Sequence, residues 1–418
     1  MNKTGKVACL LAAVAFGASM ASCMKAADDS VKFTIWVSEG DKPFANEVIK
    51  DFKAKNPDKK YQITVDIQGI NDVATRVLND VEHAADVYAY SNDQLGKLIA
   101  GDALAQIAGE RLERVKAANS EDSIASATVT VNGKEGVYGM PYTDNTFFLY
   151  YDKSVLTETD VQTLDGILAK CTGDKKFAFP MQDGWYTTSF YFGKNLGYEV
   201  QYDAGLAETS ITCDFDSPTG EKVTQAIWEL VKDNRVKADA DDSKITAGFY
   251  DKSIIAAVSG IWNKTTIQSY LGDNFAAAKL PSYTYAKGTE EEEQVQLVAF
   301  AGYKLLGVNN YSKNKTAAMD FAEFYTSREN QVKFFEKNGY LPTDETARQA
   351  EKVKSDICAQ AITAQLSHSK TQKNVPTTMW NAMKGLGTAM ITGAASNNFN
   401  LTEQLKACVD AIEKNTNG

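Results

Sequence analysis

The sequence predicts an α/β protein made of two domains. The chain has 418 residues, which is enough for two domains of ordinary size. Strand-like and helix-like segments alternate along its first part, and this order is typical of a parallel sheet with crossover helices. Hydrophobic residues make up 44% of the chain and charged residues 23%, so a large packed core is expected and disorder is not.

The first five elements are predicted from the spacing of apolar residues. Phe44, Val48 and Phe52 recur at helical spacing, whereas Ile63 and Val65 alternate as in a strand with one buried face. The resulting order is strand, helix, strand, helix and strand, at residues 32–37, 43–56, 63–67, 73–81 and 85–90. Further strands are predicted at 137–151, 177–180 and 256–260, and the chain from residue 315 onward is predicted to be mostly helical.

Two polar turns follow predicted strands, at residues 38–42 and 90–94. Open parallel sheets bind ligands beyond the carboxyl ends of their strands, so both turns are expected to contribute to a site. The polar pair Asp144 and Asn145 interrupts the apolar run at 137–151. A polar interruption of this kind predicts a bend at a junction between domains.

The charge and the scarcity of histidine exclude several classes of function. Lys and Arg number 44 against 54 Asp and Glu, and a net charge of −10 argues against binding to nucleic acid or to anionic lipid by charge alone. The two histidines, His83 and His368, lie far apart in sequence, so neither a histidine-rich metal centre nor a histidine-based catalytic triad is predicted. The chain has no P-loop motif and is not expected to hydrolyse ATP.

Residues 1–22 read as a secretory signal, with two lysines, an uncharged apolar middle and a small-residue end. The end, Met20-Ala21-Ser22-Cys23, resembles the lipobox of bacterial lipoproteins, which implies a diacylglyceryl group on Cys23 and export to the outer side of the cell membrane. Two acyl chains give stable anchoring. The alternative is an ordinary signal peptide with an incidental cysteine. Residues 23–30 are expected to form a short polar tether, and removal of the two lysines makes the charge 42 − 54 = −12.

The four remaining cysteines are not arranged as a metal or redox motif. None forms a C-x-x-C pair, although disulfides are possible in an exported protein. Buried free thiols are the favoured interpretation, and bridges remain open. The cysteines are Cys171, Cys213, Cys358 and Cys408.

Aromatic and polar residues recur together where predicted strands end. The pairs are Asp41/Lys42, Tyr90/Asp93, Asp183/Trp185, Trp262/Lys264 and Trp380/Asn381. A sugar needs this mixture, because its C–H face stacks on an aromatic ring while carboxylates, amides and amines bind its hydroxyls. Trp36 and Trp228 lie inside predicted elements and are expected to pack in the core.

Several segments resemble the extracellular solute-binding proteins of carbohydrate ABC transporters, most closely the maltose/maltodextrin-binding proteins. The resemblance runs with gaps from Lys32 to the C-terminus, and the segments that carry it lie at residues 34–43, 86–96, 131–141, 182–186, 259–264 and 375–380. It implies ligand contacts by Glu39, Asp41, Lys42, Tyr90, Asp93, Asp144, Asn145, Asp183, Trp185, Trp262, Lys264 and Trp380.

Three of these residues differ from the residue type that the family has at the same position, and a fourth, Asp93, is followed by such a difference. Tyr90 stands where the family places a stacking Trp, and Gln94 replaces an Arg that commonly follows Asp93. Asn145 stands where a binding Glu is usual, and Lys264 replaces a second Trp. Linear α-glucans remain the expected ligands. Because these four positions change hydrogen-bonding or stacking groups, the preferred chain length and the identity of the sugar stay open.

The resemblance also implies a fold and a mechanism. The expected fold is the two-lobed type II periplasmic-binding-protein fold, in which each lobe is a sheet flanked by helices and the ligand cleft lies between the lobes. The expected N-terminal lobe is 31–143 plus 305–346, and the C-terminal lobe is 144–304 plus 347–418. Ligand would favour the closed state of a monomer that needs no cofactor or metal. The closed form would dock on a permease that a separate ATPase drives.

Three alternatives come from other classes. A glycosidase could use two carboxylates, for instance Asp41 and Asp183. A receptor of the same fold could bind a peptide, a polyamine or a ferric ion. A surface adhesin for starch would bind sugar without any transport role.

Overall fold

The structure is a computed structural model that describes residues 29–70, 72–131, 133–203, 206–396 and 399–414. The predicted signal segment 1–22, the predicted lipid attachment at Cys23 and most of the predicted tether lie outside the described residues.

Strands and helices alternate through most of the described chain. In chain order the strands β1–β17 span Val31–Val37, Tyr61–Ile67, Val87–Ser91, Thr128–Val131, Lys134–Val137, Met140–Asn145, Phe147–Asp152, Lys176–Ala178, Tyr198–Tyr202, Glu208–Cys213, Val236–Lys237, Ile254–Gly260, Phe275–Ala278, Ser282–Tyr285, Glu293–Gln296, Ala299–Val308 and Ser369–Thr371. The helices α1–α17 span Lys42–Lys55, Val73–Asn79, Leu95–Ala100, Gly109–Ala118, Glu121–Ser126, Leu164–Lys170, Gly184–Gly193, Pro218–Lys232, Asp242–Tyr250, Lys264–Leu271, Lys315–Tyr325, Arg328–Asn338, Glu345–Arg348, Glu351–Lys354, Ile357–Leu366, Met379–Gly393 and Leu401–Glu413. Short 3₁₀ helices lie at Glu39–Asp41, Asn92–Gln94, Asp160–Gln162, Ile261–Asn263 and Gly272–Asn274.

The first sheet has the order β2-β1-β3-β16, and β6 and β17 also pair with β16. Strand β1 is parallel to both β2 and β3, whereas β16 runs antiparallel to β3. The five elements predicted from apolar spacing at the start of the chain are confirmed as β1, α1, β2, α2 and β3. We call the part of the molecule built on this sheet the N-terminal lobe.

The second sheet has the order β11-β8-β12-β7-β13. Its strands β11, β8 and β12 are parallel, and β7 runs antiparallel to both β12 and β13. The apolar run predicted as one strand at 137–151 is two strands, because β6 pairs in the first sheet and β7 in the second. The predicted bend at Asp144 and Asn145 lies at the end of β6. We call the part built on the second sheet the C-terminal lobe.

The strand β16 joins the two lobes. All ten of its residues are buried. Phe300 packs in the core of the C-terminal lobe, whereas Leu305 packs in the core of the N-terminal lobe. Residues 299–301 pair with β17, and residues 302–308 pair with β6 and β3. One continuous buried strand therefore connects the hydrophobic cores of the two lobes.

The predicted roles of the core tryptophans and the cysteines agree with the structure. Trp36 packs against the core of the N-terminal lobe, and Trp228 stacks on Phe399 with ring centroids 4.6 Å apart. The four cysteines left open between free thiols and bridges are all free and buried. Burial raises the pKa of the Cys171 thiol to about 11, which keeps it protonated and unreactive at neutral pH.

Candidate ligand-binding cleft

A cavity of about 1260 Å³ lies between the two lobes. Two of its walls are 3₁₀ helices that follow buried strands: Asn92–Gln94 comes after β3, and Ile261–Asn263 comes after β12. Both are carboxyl ends of strands, which is where open α/β sheets bind ligands. The two other walls are the start of α7 and the segment 372–380 that leads from β17 into α16.

Six aromatic residues line the cavity: Trp185, Tyr186, Tyr202, Trp262, Tyr340 and Trp380. The rings of Trp185 and Trp262 lie 6.0 Å apart at an angle of 34°, and the Trp262 residue is 37% exposed. Trp380 packs edge-on against Phe300, with centroids 5.7 Å apart, so it is anchored at the lobe junction. Large flat rings of this kind present apolar surface at little cost in side-chain entropy, which suits the C–H faces of sugar rings.

Asp93 lines the cavity and has a buried oxygen acceptor. Its Oδ1 atom is buried and has no hydrogen-bond partner among the described residues. Burial raises the pKa of the Asp93 carboxyl, while hydrogen bonding from Ser91 and Trp380 only partly opposes this. A buried acceptor without a partner costs free energy, and a ligand hydroxyl that donates to it would remove that cost.

Asp183 and Asp242 form a second acidic region, on the C-terminal lobe. Asp183 caps α7, since its Oδ1 accepts from the backbone N–H of Trp185 at 2.9 Å. Its pKa is raised by burial and by the nearby charge of Asp242. Asp242 accepts three hydrogen bonds at one oxygen, Oδ1, from Ser259, the indole of Trp262 and Asn263. Asp242 therefore holds the Trp262 ring in place through the indole N–H.

A cation closes the N-terminal side of the cavity. Lys304 on β16 lines the cleft, and its Nζ lies 3.7 Å from the centroid of the Tyr340 ring and 3.9 Å from Oδ2 of Asp41. Asp41 is buried behind Lys304 and also accepts from the Asn338 amide at 3.0 Å. The ammonium is therefore held between an aromatic face and a carboxylate, an arrangement that favours its charged form.

The structure brings six of the predicted site residues to the cavity wall. They are Asp93, Asn145, Asp183, Trp185, Trp262 and Trp380. The predicted residues Glu39 and Lys42 lie near the turn after β1 but not on the cavity wall. Asp41 reaches the cleft only through Lys304.

Three further predicted residues have partners elsewhere. Tyr90 is fully buried in the core of the N-terminal lobe, so its ring does not face the cleft as a stacking platform would. Asp144 is paired through both oxygens with Arg348. Lys264 pairs with Asp356, the N-cap residue of α15. Tyr90 and Lys264 stand where the family places a Trp, and Asp144 neighbours the position of a binding Glu, but none of the three lines the cavity.

Sequence reasoning did not identify Asp242, Lys304, Tyr340 and Gln372, all of which line the cavity. Asp242 had a local signal, because it stands at the start of a helix shortly before the strand that leads to Trp262. The other three had none, since they reach the cleft only through contacts between residues far apart in sequence.

Two observations limit the chemistry of the described residues. No group of three or more His, Cys, Asp or Glu among them is arranged to hold a metal ion. In the same part of the chain, no helix combines the length and the apolar character needed to span a bilayer.

Residues 47–361 match the family model of the bacterial extracellular solute-binding proteins. Among characterised relatives, the maltodextrin-binding protein MdxE of Bacillus subtilis (strain 168) is 27% identical over 305 residues, which is 69% of this chain and 68% of that protein. The galactooligosaccharide-binding protein of the same strain is 23% identical over 300 residues, 70% of this chain and 68% of that protein. The solved maltodextrin-binding protein MalE1 of L. casei BL23, without ligand, is 26% identical with a TM-score of 0.76, over 92% of this chain and 99% of that chain.

These matches confirm the predicted type II two-lobed fold, and they make the protein a binding protein and not an enzyme. The family is extracellular, so the chain is exported. On the extent of the family match, the chain belongs to the bacterial extracellular solute-binding proteins.

Proposed function

We propose that the protein binds malto-oligosaccharides in the cleft between its lobes and delivers them to an ABC-transporter permease with a separate ATPase. The observation that carries this proposal is the lining of the cleft, which combines Trp185, Trp262 and Trp380 with Asp93, Asp183 and Asp242. Stacking faces and hydroxyl acceptors side by side are what a neutral oligosaccharide requires.

The size of the cleft favours an oligosaccharide over a single sugar. Pockets for drug-sized molecules span about 300–1,000 Å³. The cavity here, of about 1260 Å³, exceeds that range. The names of MdxE and MalE1 as maltodextrin-binding proteins support linear α-glucans as the ligand class.

A second sugar class has a specific observation in its favour. The relative named as a galactooligosaccharide-binding protein is nearly as similar as the maltodextrin-binding one. Asn145 lines the cleft where the family resemblance implies a Glu, so one hydroxyl contact is changed from a charged acceptor to an amide. Galacto-oligosaccharides are therefore the second candidate.

The transport role includes export, anchoring and closure. We propose that residues 1–22 are removed, that Cys23 carries the lipid, and that residues 23–30 tether a monomer to the outer side of the membrane. We propose lobe limits of 31–143 plus 305–346 and 144–304 plus 347–418. Contacts to both lobes would make ligand favour the closed form, which the permease would then recognise.

The experiment is calorimetric titration of the exported form against gluco-, galacto-, manno-, xylo- and fructo-oligosaccharides. We expect micromolar binding to maltotriose or longer α-glucans, a free energy of roughly 8 kcal/mol. Silence toward every α-glucan with a clear response to another series would overturn the ligand assignment. Release of shorter sugars from maltotriose above a blank would contradict a binding protein.

A further inference from the structure

The side chain of Gln372 joins a cleft tryptophan to the strand that connects the lobes. Its Oε1 accepts a hydrogen bond from Nε1 of Trp185 at 2.9 Å. Its backbone N–H donates to the carbonyl of Ala301 on β16 at 2.9 Å. Gln372 is 4% exposed, so both contacts are made in a desolvated environment where an unsatisfied partner would be costly.

The same residue contacts the N-terminal lobe. Its backbone carbonyl accepts from the side-chain amide of Asn92, the first residue of the 3₁₀ helix after β3. The other end of the Asn92 side chain accepts from the backbone N–H of Tyr303 on β16 at 2.9 Å. Gln372 is thus hydrogen-bonded to Trp185 of the C-terminal lobe, to β16 and to Asn92 of the N-terminal lobe.

Close packing at this point leaves little room for alternative geometry. A Cβ atom at Gly302 would lie 2.8 Å from Oε1 of Gln372 and 2.9 Å from the backbone carbonyl of Asn145. Real side chains do not tolerate such distances, so a glycine at position 302 allows β16 to pack directly against Gln372. The strand between the lobes therefore helps to hold the glutamine side chain in position.

We infer that Gln372 is a positioning residue that fixes the ring of Trp185 in the cleft and ties that ring to the lobe junction at β16. The inference rests on the proposed function, because it takes a sugar as the molecule that Trp185 stacks on. A ligand that stacks on Trp185 is then connected to β16 through the hydrogen bond between Trp185 and Gln372. Gln372 does its work through Trp185 and is not itself required to touch the ligand.

The test uses the exported form of the protein and a double-mutant cycle. Gln372→Met keeps the length of the side chain and removes the amide acceptor, whereas Trp185→Phe keeps an aromatic ring and removes the indole N–H. We expect Gln372→Met to weaken maltotriose binding about five- to tenfold, as for loss of one buried hydrogen bond. In the Trp185→Phe background the same change is expected to cost less than about twofold, because the two residues act as one unit.

The matched control is Gln365→Met. Gln365 is also fully buried, and its Oε1 accepts from the backbone N–H of Leu280, but it does not line the cleft. This change is expected to lower the melting temperature and leave maltotriose affinity unchanged. Gln372→Glu retains an oxygen acceptor for the indole and is expected to restore affinity toward the wild-type value. Equal weakening by Gln372→Met in both backgrounds, or none in the wild type, overturns the inference.

A ligand-free measurement separates this inference from the proposed function. The fluorescence of Trp185, obtained by subtracting the spectrum of the Trp185→Phe protein, is expected to become more accessible to acrylamide in Gln372→Met and not in Gln365→Met. If wild-type protein fails to bind maltotriose, the proposed ligand is wrong, and the acrylamide result alone then decides the inference. Unchanged quenching would show that Gln372 does not hold the ring.

Discussion

Asp93 combines a place on the cavity wall with a carboxyl whose pKa is raised by burial. Its Oδ1 is buried and has no hydrogen-bond partner among the described residues, and the residue lines the cavity just after β3. Hydrogen bonds to charged groups contribute about 1.5–3 kcal/mol. A single side chain can therefore set an order of magnitude or more in affinity.

We expect Asp93→Asn to weaken maltotriose binding about tenfold to a hundredfold, because a neutral amide replaces a charged acceptor. Calorimetric titration measures the change. Asp410→Asn, which alters an exposed carboxylate on α17 away from the cleft, serves as the control and should leave affinity unchanged. An Asp93→Asn protein with wild-type affinity would show that the buried oxygen finds its partner elsewhere.

The pH dependence of binding is expected to follow the raised pKa values of Asp93 and Asp183. A hydroxyl donor binds the charged carboxylate better than the protonated one, so affinity is complete above these pKa values and is lost as the pH falls through them. The loss should begin at a higher pH than an ordinary aspartate would give. Maltotriose titrations between pH 8 and pH 4 test this, and a flat profile across the range would contradict it.

The limits of sequence reasoning are clearest at Tyr90 and Lys304. Tyr90 stands where the family places a stacking Trp, yet β3 is buried along its whole length and the Tyr90 ring lies in the core of the N-terminal lobe. Lys304 lies in a strand that reads as wholly apolar around it, and only the distant Asp41 and Tyr340 explain a charge there. The sequence shows which residue stands at the end of a strand. It does not show whether the side chain of that residue points into the core or into the cleft.

The helix α16 positions Trp380 and is held against the C-terminal lobe by a small-residue contact. A Cβ at Gly387 would lie 2.1 Å from the backbone carbonyl of Met181, whereas a Cβ at Gly385 would meet nothing within 4 Å. Both glycines are in the same helix. Alanine at Gly385 therefore tests helix propensity alone, whereas alanine at Gly387 also tests the packing of α16.

We expect Gly385→Ala to raise the free energy of unfolding by up to about 1 kcal/mol, since alanine favours the helix. Gly387→Ala should lower it by about 1–3 kcal/mol, because the new methyl group displaces α16 from Met181. Urea unfolding measures both changes. Maltotriose affinity should fall only in Gly387→Ala, as Trp380 moves with the helix. Equal stabilisation by both substitutions would mean that the close approach of the helix is not required.

Prediction of elements succeeded where the signal was local and failed where pairing was distant. The elements β1 to β3 with α1 and α2 follow from periods of two and 3.6 residues, which the neighbouring sequence carries. The split of the run 137–151 into β6 and β7 depends on pairing with β16 and β12, more than a hundred residues away. The polar pair at the bend indicated the position of the break but not the partners on each side.

The junction between the lobes depends on three chain segments that meet at Asp144. Its backbone N–H and the hydroxyl of Thr143 both donate to the carbonyl of Leu341, each at 3.0 Å. Its carboxylate accepts from Arg348, which also donates to the carbonyl of Pro342. The end of β6 is thus held by hydrogen bonds to the backbone of residue 341 and by an ion pair with Arg348.

The buried carboxyl of Asp144 makes the stability of the whole molecule depend on pH, and the sign of that dependence follows from its pKa. Burial raises the pKa of Asp144 to about 6, and the charge of Arg348 only partly opposes this. Asp144 therefore binds its proton more tightly in the folded protein than in the unfolded chain. Its favourable contribution is complete below the unfolded pKa of about 4 and is lost as the pH rises through about 6.

We expect the wild-type protein to lose about 2 kcal/mol of unfolding free energy relative to Asp144→Asn between pH 4 and pH 7, because the asparagine has no charge to desolvate. Urea unfolding of both proteins at pH 4, 5.5 and 7 measures the difference, in which the titration of all other groups cancels. A difference that stays constant with pH would place the Asp144 pKa at its ordinary value. A difference that grows in favour of the wild type as the pH rises would mean that attraction to Arg348 outweighs desolvation, and that the junction is held together by charge and not merely by packing.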